Sequence, residues 1–459
     1  MAISAARAAA FDILLRVQEA DAYASELLHA GRLDKLTTAD RALVTELVMG
    51  VLRWRSRLDE TIAAASARPV GKLDAEVLTA LRLGAYQLQF LSRIPARVAI
   101  HESVELVKRA HMRSAAPFAN AVLRKLADAK TRQSSETASD DPITSLAREF
   151  AHPEWLVKRW VTEFGPQRAL AICGHDQQIP KTAIRLDNLD VAEELASEGV
   201  ELAPAALLAS ARIVAGGDIT HTLAFREGRV FIQDEASQLV AALVGMGSRL
   251  LDCCAAPGGK TAALAARNPT AEIVAVELHT HRAELLRKRV RAGNIQVLNA
   301  SVLDLPLQGS FDRVLADVPC SGTGTLARNP EIKWRLTPED LRDLHTRQAA
   351  ILEAALRQLT AGGRAIYSTC SLQREENEDV VEDVLRAHAE YELRDCREEL
   401  ERLRKTGELV WGDPDSLLCG KFLRTLPGVQ PCDGFFAAVF EKSGRGLQCK
   451  GPARSRPVC

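Results

Sequence analysis

From about Phe231 the chain alternates short apolar runs with stretches of helical period, and this alternation most restricts what it can fold into. A strand–helix–strand succession predicts a parallel sheet with helices on its faces, a doubly wound α/β domain. Such sheets hold ligands beyond the carboxyl ends of their strands, so the residues that close each apolar run are the ones to read for chemistry. The first run, Arg249 to Cys253, passes through Cys254 into Ala255-Ala256-Pro257-Gly258-Gly259-Lys260 and then a helix through Arg267. Glycines there let the backbone approach a ligand, and the helix start offers free N–H donors. The turn is neither G-x-G-x-x-G nor a Walker loop, which disfavours a dinucleotide or a nucleoside triphosphate. The second run, Ile273 to Val276, ends at Glu277, 18 residues after Gly259, where a carboxylate suits a ribose diol. The third, Ile295 to Asn299, leads to Asp304, a carboxylate suited to an adenine amino group. In isolation either acid reads equally well as a solvated loop position.

The fourth run, Val314 to Ala316, ends on Asp317; Pro319 stops further ladder bonding and Cys320-Ser321-Gly322 turn the chain away. Alone, Cys320 reads as well as a buried structural thiol. A second run, Arg364 to Cys370, also closes on a cysteine, and two strand-end thiols point to chemistry on a small planar group. Beyond it, Glu375-Glu376-Asn377-Glu378 open a helix to about Ala387, with acids at its N-terminus, and Gly434 to Phe440 is the last strand. Arg328, Lys333 and Arg335 flank the Cys320 turn and read either as phosphate contacts or as solvated charges.

The chain up to Lys130 carries helical periodicity only, with 19 Lys or Arg against 14 Asp or Glu. Arg53-Trp54-Arg55-Ser56-Arg57 is its densest basic patch and reads as a phosphate-binding surface. Polar Thr131 to Asp141 is expected to be a linker, Pro142 to about Val230 a small α+β module, and Ser443 to Cys459 a disordered tail. The domains expected are therefore 1–130, 142–230 and 231–442. Ten cysteines in 459 residues, with no C-x-x-C pair, exclude a disulfide scaffold and a zinc ribbon. No apolar run is long enough to cross a bilayer, and a reducing cytoplasm fits best.

Three blocks carry a family resemblance: L-D-C-C-A-A-P-G-G-K-T, L-A-D-V-P-C-S-G-T-G and Y-S-T-C-S-L-Q-R-E-E-N-E. They resemble the signature blocks of RsmB/Sun (NSUN-type) RNA cytosine-C5 methyltransferases. Ala39 to Trp54, His101 to Lys108 and the run from Asn120 resemble NusB-type RNA-binding domains, which the RsmB branch also carries. The resemblance implies a class I (Rossmann-like) S-adenosyl-L-methionine-dependent fold and 16S ribosomal RNA as substrate, with neither membrane nor metal and a monomeric chain. It implies that Cys254 to Lys260, Glu277, Asp304 and Asp317 hold or face the cofactor, that Cys370 is the nucleophile, and that Cys320 helps product release. Two departures stand out: Glu277 replaces the more usual Asp, and Cys253 is an additional thiol expected to point into the sheet.

The chemistry asks for the same groups. C5 of cytosine is a poor nucleophile until a thiolate adds to C6, and Asp317, protonated or sharing a proton, would meet the charge that develops at N3. A base must then remove the C5 proton so that the thiol can leave. Two other readings remain: a cytosine-C5 methyltransferase of tRNA or another RNA, and a non-catalytic RNA-binding factor on the same scaffold. The NusB-like region speaks for the ribosomal branch, and the intact thiols and glycine turn speak for an enzyme.

Overall fold

The computed structural model describes residues 3–19, 22–29, 31–33, 35–129, 141–186, 188, 190–306 and 309–443. The expected linker and tail lie almost wholly outside them. Two compact units result: Met1–Pro180 with Thr325–Leu336, and Lys181–Gly324 with Thr337–Cys459.

The first unit is helical. Helices Ala5–Glu19, Thr38–Arg53, Arg55–Ser66, Ala75–Phe90, Ala96–Arg109 and Ala116–Ala129 bury one continuous core that includes Phe11, Leu47, Leu58, Ile62, Leu81, Leu106 and Leu123. Thr37 caps the helix it precedes by accepting from Asp40 N at 3.1 Å. Helices Pro142–Glu149, Glu154–Phe164 and Pro166–Asp176 belong to this unit too. The stretch 142–230, expected as one α+β module, is thus divided: these three helices join the first unit, and its strands, with the helix Asp190–Ser197, join the second. Within the first unit Thr325–Leu336 is tied down by Arg53 Nη2 to Ala327 O (2.9 Å), Trp334 Nε1 to Leu52 O (2.6 Å) and Ala24 N to Glu331 Oε1 (2.8 Å). Arg335 adds bonds to the carbonyls of Val17 and Ala22.

In the second unit, strands β1 (Ala183–Leu186), β2 (Glu201–Pro204), β3 (Ala211–Gly216) and β4 (Val230–Ile232) form an antiparallel sheet in the order β2-β3-β1-β4. The main sheet contains β5 (Arg249–Asp252), β6 (Glu272–Glu277), β7 (Ile295–Asn299), β8 (Phe311–Asp317) and β9 (Leu359–Thr369), all parallel. It continues antiparallel through β10 (Tyr391–Arg394), β11 (Leu418–Cys419), β12 (Phe422–Thr425) and β13 (Phe435–Lys442), in the order β11-β12-β13-β9-β8-β5-β6-β7 with β10 also on β13. Successive side chains alternate between two cores: Leu250, Ile273, Leu315, Ile366 and Ala437 on one face, Leu251, Val274, Val314, Tyr367 and Phe436 on the other. Both faces are covered, which is why these strands read as continuous apolar runs. The chain moves from β5 outward through β6 to β7, then returns to β8 and continues to β9. The order therefore reverses at β5, and a crevice opens beyond the ends of β5 and β8. This is the Rossmann-like doubly wound architecture expected from the alternation.

Candidate active site

The turn after β5 is held open between its neighbours, because Cys253 N still bonds Leu315 O (2.8 Å) and Ala255 N bonds Val276 O (2.9 Å). Arg282 Nη2 braces the Ala256 carbonyl at 3.1 Å. Gly258 has φ +108°, and a Cβ there would stand 2.7 Å from Val290 Cγ2, so only glycine fits. Gly259 starts the helix Gly259–Arg267 with room to spare, its nearest neighbour being Gln233 at 3.5 Å from a built Cβ. Cys254 is half-buried; burial first, then the charges of Asp252, Asp317 and Glu277, push its thiol far up. Three carboxylates therefore converge on this turn. Asp252, which the sequence reading passed over, is buried with Thr261 Oγ1 donating to its Oδ2 at 2.7 Å and no partner on Oδ1. Glu277 is buried at the end of β6 and accepts from His279 N at 2.9 Å. Asp304 is exposed in the turn Val302–Asp304 that follows β7. Cys253 points into a core cluster, and burial pushes its thiol well up.

Asp317 closes β8. Lys260 Nζ donates to its Oδ2 and Ser368 Oγ to its Oδ1, each at 2.7 Å. Both oxygens therefore accept. The Lys260 ammonium also lies 5.0 Å from the Phe435 ring centroid.

Cys320 and Cys370, at the ends of adjacent strands β8 and β9, meet with their sulfurs 3.3 Å apart, and both remain half-buried. The hydrogen bond to Cys370, then burial, then the negative potential of Cys370 and Glu376 hold the Cys320 thiol well above its ordinary range. The two loops are bonded to each other: Gly324 N donates to Cys370 O (2.8 Å) and Leu372 N to Thr323 Oγ1 (2.9 Å). A Cβ on Gly324 would fall 2.1 Å from Gly434 O, so this approach also requires glycine.

Three of the basic residues read as phosphate contacts are placed otherwise. Arg53 is buried and spends its guanidinium on Ala327 O; Lys333 is buried; Arg335 holds carbonyls of Val17 and Ala22. Among the described residues no group of three or more His, Cys, Asp or Glu is disposed to hold a metal ion, and no helix is long and apolar enough to cross a membrane.

Residues 244–441 match the family model described as 16S rRNA methyltransferase RsmB/F, and residues 4–128 match the NusB family. The chain is 33% identical over 450 residues to the probable ribosomal RNA small subunit methyltransferase B of Bacillus subtilis, covering 95% of this chain and 98% of that protein. It is 34% identical to ribosomal RNA small subunit methyltransferase B of Pseudomonas putida, over 77% of this chain and 83% of that one. The crystal structure of PH0851, at 22% identity, shares the fold with a TM-score of 0.80 over 96% of this chain and 100% of that one. A methyltransferase homolog protein from Pyrococcus horikoshii, 26% identical, aligns with a TM-score of 0.54 over 66% of this chain and 100% of that one. With a NusB-family region ahead of an RsmB/F region, and a relative matched over nearly its whole length, the chain belongs to the ribosomal RNA small subunit methyltransferase B family.

Proposed function

We propose that this chain methylates C5 of a cytosine in 16S ribosomal RNA, through a covalent bond between Cys370 and C6 of the base, with S-adenosyl-L-methionine as methyl donor. The pair of strand-end thiols 3.3 Å apart beside the Lys260–Asp317 ion pair carries this reading. The names of the relatives support ribosomal RNA of the small subunit as substrate.

The cofactor fits the residues present. Its sulfonium and ammonium groups are cations, and Asp317 and Glu277 bring negative charge to the turn at Cys254. Asp252 Oδ1 is a buried oxygen without a partner, and Gly258, with its positive φ, turns the backbone at the start of the helix that faces it. Cys254 to Lys260, Glu277 and Asp304 would line it, with Glu277 toward a ribose and Asp304 toward an adenine. When bound, it supplies the electrophilic methyl carbon.

The contact with Cys370 and burial favour the protonated form of Cys320, and Cys370, its sulfur 3.3 Å away, is the one to attack C6 as a thiolate. Addition to C6 places charge on N3 and O2 of the ring, which the Lys260–Asp317 pair meets by sharing a proton with N3. The same addition consumes the Cys370 charge and the hydrogen bond that kept Cys320 protonated. Cys320 then loses its proton to solvent and, as a thiolate, takes the proton from C5 directly or through water while the C6–S bond breaks. The two thiols thus exchange roles because the first step removes what held the second silent.

Separate thiol variants test this. Cys370→Ala is expected to give neither adduct nor methylated RNA. Cys320→Ala is expected to methylate once and accumulate a protein–RNA adduct that survives denaturing gels. Adduct with Cys370→Ala and none with Cys320→Ala would reverse the assignment.

A further inference from the structure

We infer that Glu376 is a positioning residue that holds the two thiols in register, a deepening that rests on the methyltransferase reading above. Glu376 is fully buried. Its Oε1 accepts from Ser321 N at 2.7 Å and from Gln348 Nε2 at 3.0 Å. Its Oε2 accepts from the hydroxyls of Ser321 and Ser371, which lie 3.0 Å from each other. Ser321 directly follows Cys320, and Ser371 directly follows Cys370. One carboxylate therefore grips both Cys-Ser dipeptides, from two strands whose ends are 50 residues apart in sequence.

The tie is reinforced on both sides. Gln348 also donates to Pro319 O at 2.9 Å, immediately before Cys320. Tyr367 Oη donates to the Glu376 carbonyl at 2.6 Å, and Asn377 takes the Thr369 hydroxyl at 2.6 Å and gives to Ser371 O at 2.9 Å. Four donors converge on the two carboxylate oxygens, so an amide in its place would have to turn both serine hydroxyls round to accept and would replace charge-assisted bonds by weaker neutral ones. The carboxylate also contributes negative potential at Cys320, in the sense that keeps that thiol protonated. Glu376 touches neither sulfur; it acts through the serines.

The mutual placement of the thiols is measurable without RNA or cofactor. Equilibrating the full chain with mixtures of reduced and oxidised glutathione, and quantifying the Cys320–Cys370 peptide by mass spectrometry, gives the effective concentration of one thiol at the other. Glu376→Gln is expected to lower it at least roughly tenfold and to lower single-turnover methyl transfer by about 10²-fold, the scale of a misplacement near 1 Å. The KM for RNA and the affinity for S-adenosylmethionine should be unchanged. Alkylation of Cys320 by iodoacetamide should begin at lower pH in this variant, because a weakened contact with Cys370 and loss of the Glu376 charge both act in that sense. Ser371→Ala, which removes a single donor, is expected to show a smaller fall and decides the matter if Glu376→Gln does not fold. Wild-type effective concentration in the folded variants overturns the inference, as does a fall in it that leaves methyl transfer intact. A fall accompanied by no cytosine methylation even in the wild-type protein would remove the methyltransferase reading and leave the tie between the thiols standing.

Discussion

Asp252 shows how much a single buried carboxyl changes the pH response of this protein. Burial, opposed by the Thr261 hydroxyl and joined by the charge of Asp317, pushes it from 3.8 up to about 7. The folded chain therefore favours its protonated form. Its contribution to stability is fully present below about pH 4 and is lost as pH rises through 7. Asp252→Asn is neutral at every pH. The unfolding free energy of wild type relative to this variant should fall between pH 4 and pH 8, by at most on the order of 4 kcal/mol for a shift of this size. Denaturant titrations at the two pH values check it, and a difference that does not move rejects the buried-acid account. At the same scale, the sequence revealed Asp317, Cys320 and Cys370 because each closes an apolar run. It did not reveal that Lys260, 57 residues earlier, donates to Asp317, since an ion pair between a helix start and a distant strand end leaves no periodic trace. Glu376 was read as an acid at a helix start, the ordinary role for its surroundings; only the approach of two loops turns it inward.

Among the elements, the turn between β5 and its helix carries the sharpest constraint, and it falls on Gly258 rather than Gly259. Gly258→Ala meets both a positive φ and Val290 Cγ2 at 2.7 Å, so we expect a loss of about 1–3 kcal/mol in stability together with weakened S-adenosylmethionine binding. Gly259→Ala, whose Cβ would meet only Gln233 at an ordinary contact distance of 3.5 Å, should bind as wild type. Calorimetric titration of the two variants separates them, and equal affinities would free Gly258 from the cofactor crevice. The parallel strands and their order of function were legible because two covered faces make continuous apolar runs. The split of 142–230 was not, because helix periodicity tells that a face is buried but not against which core. Likewise Arg53, Lys333 and Arg335 were open to either reading, because in sequence a cation aimed at a carbonyl or into a core is indistinguishable from one aimed at a phosphate.

At the level of the whole molecule, the first unit is assembled from two pieces of chain, and Lys333 lies in the second piece. Its ammonium is buried with no hydrogen-bond partner, 5.1 Å from the Trp334 ring centroid, and burial pushes it from 10.5 down to about 7. The fold favours the neutral amine, so this group's contribution is present above pH 10.5 and is lost as pH falls through 7. Lys333→Met should therefore raise the Tm of the full chain more at pH 7 than at pH 9.5. An advantage that is the same at both would mean the amine is not titrating in the fold. The same two-piece construction bears on the order of synthesis. The ribosome delivers Met1–Pro180 first, then all of Lys181–Gly324, and only then Thr325–Leu336. At ordinary elongation rates that interval lasts on the order of ten seconds. Throughout it, Arg53 has no Ala327 carbonyl to hold, and the carbonyls of Leu52 and Val17 have neither Trp334 nor Arg335. Nascent chains stalled before Thr325 should exchange the amides around Leu52 quickly, and chains stalled well past Leu336 slowly, so the helical unit made first is completed late.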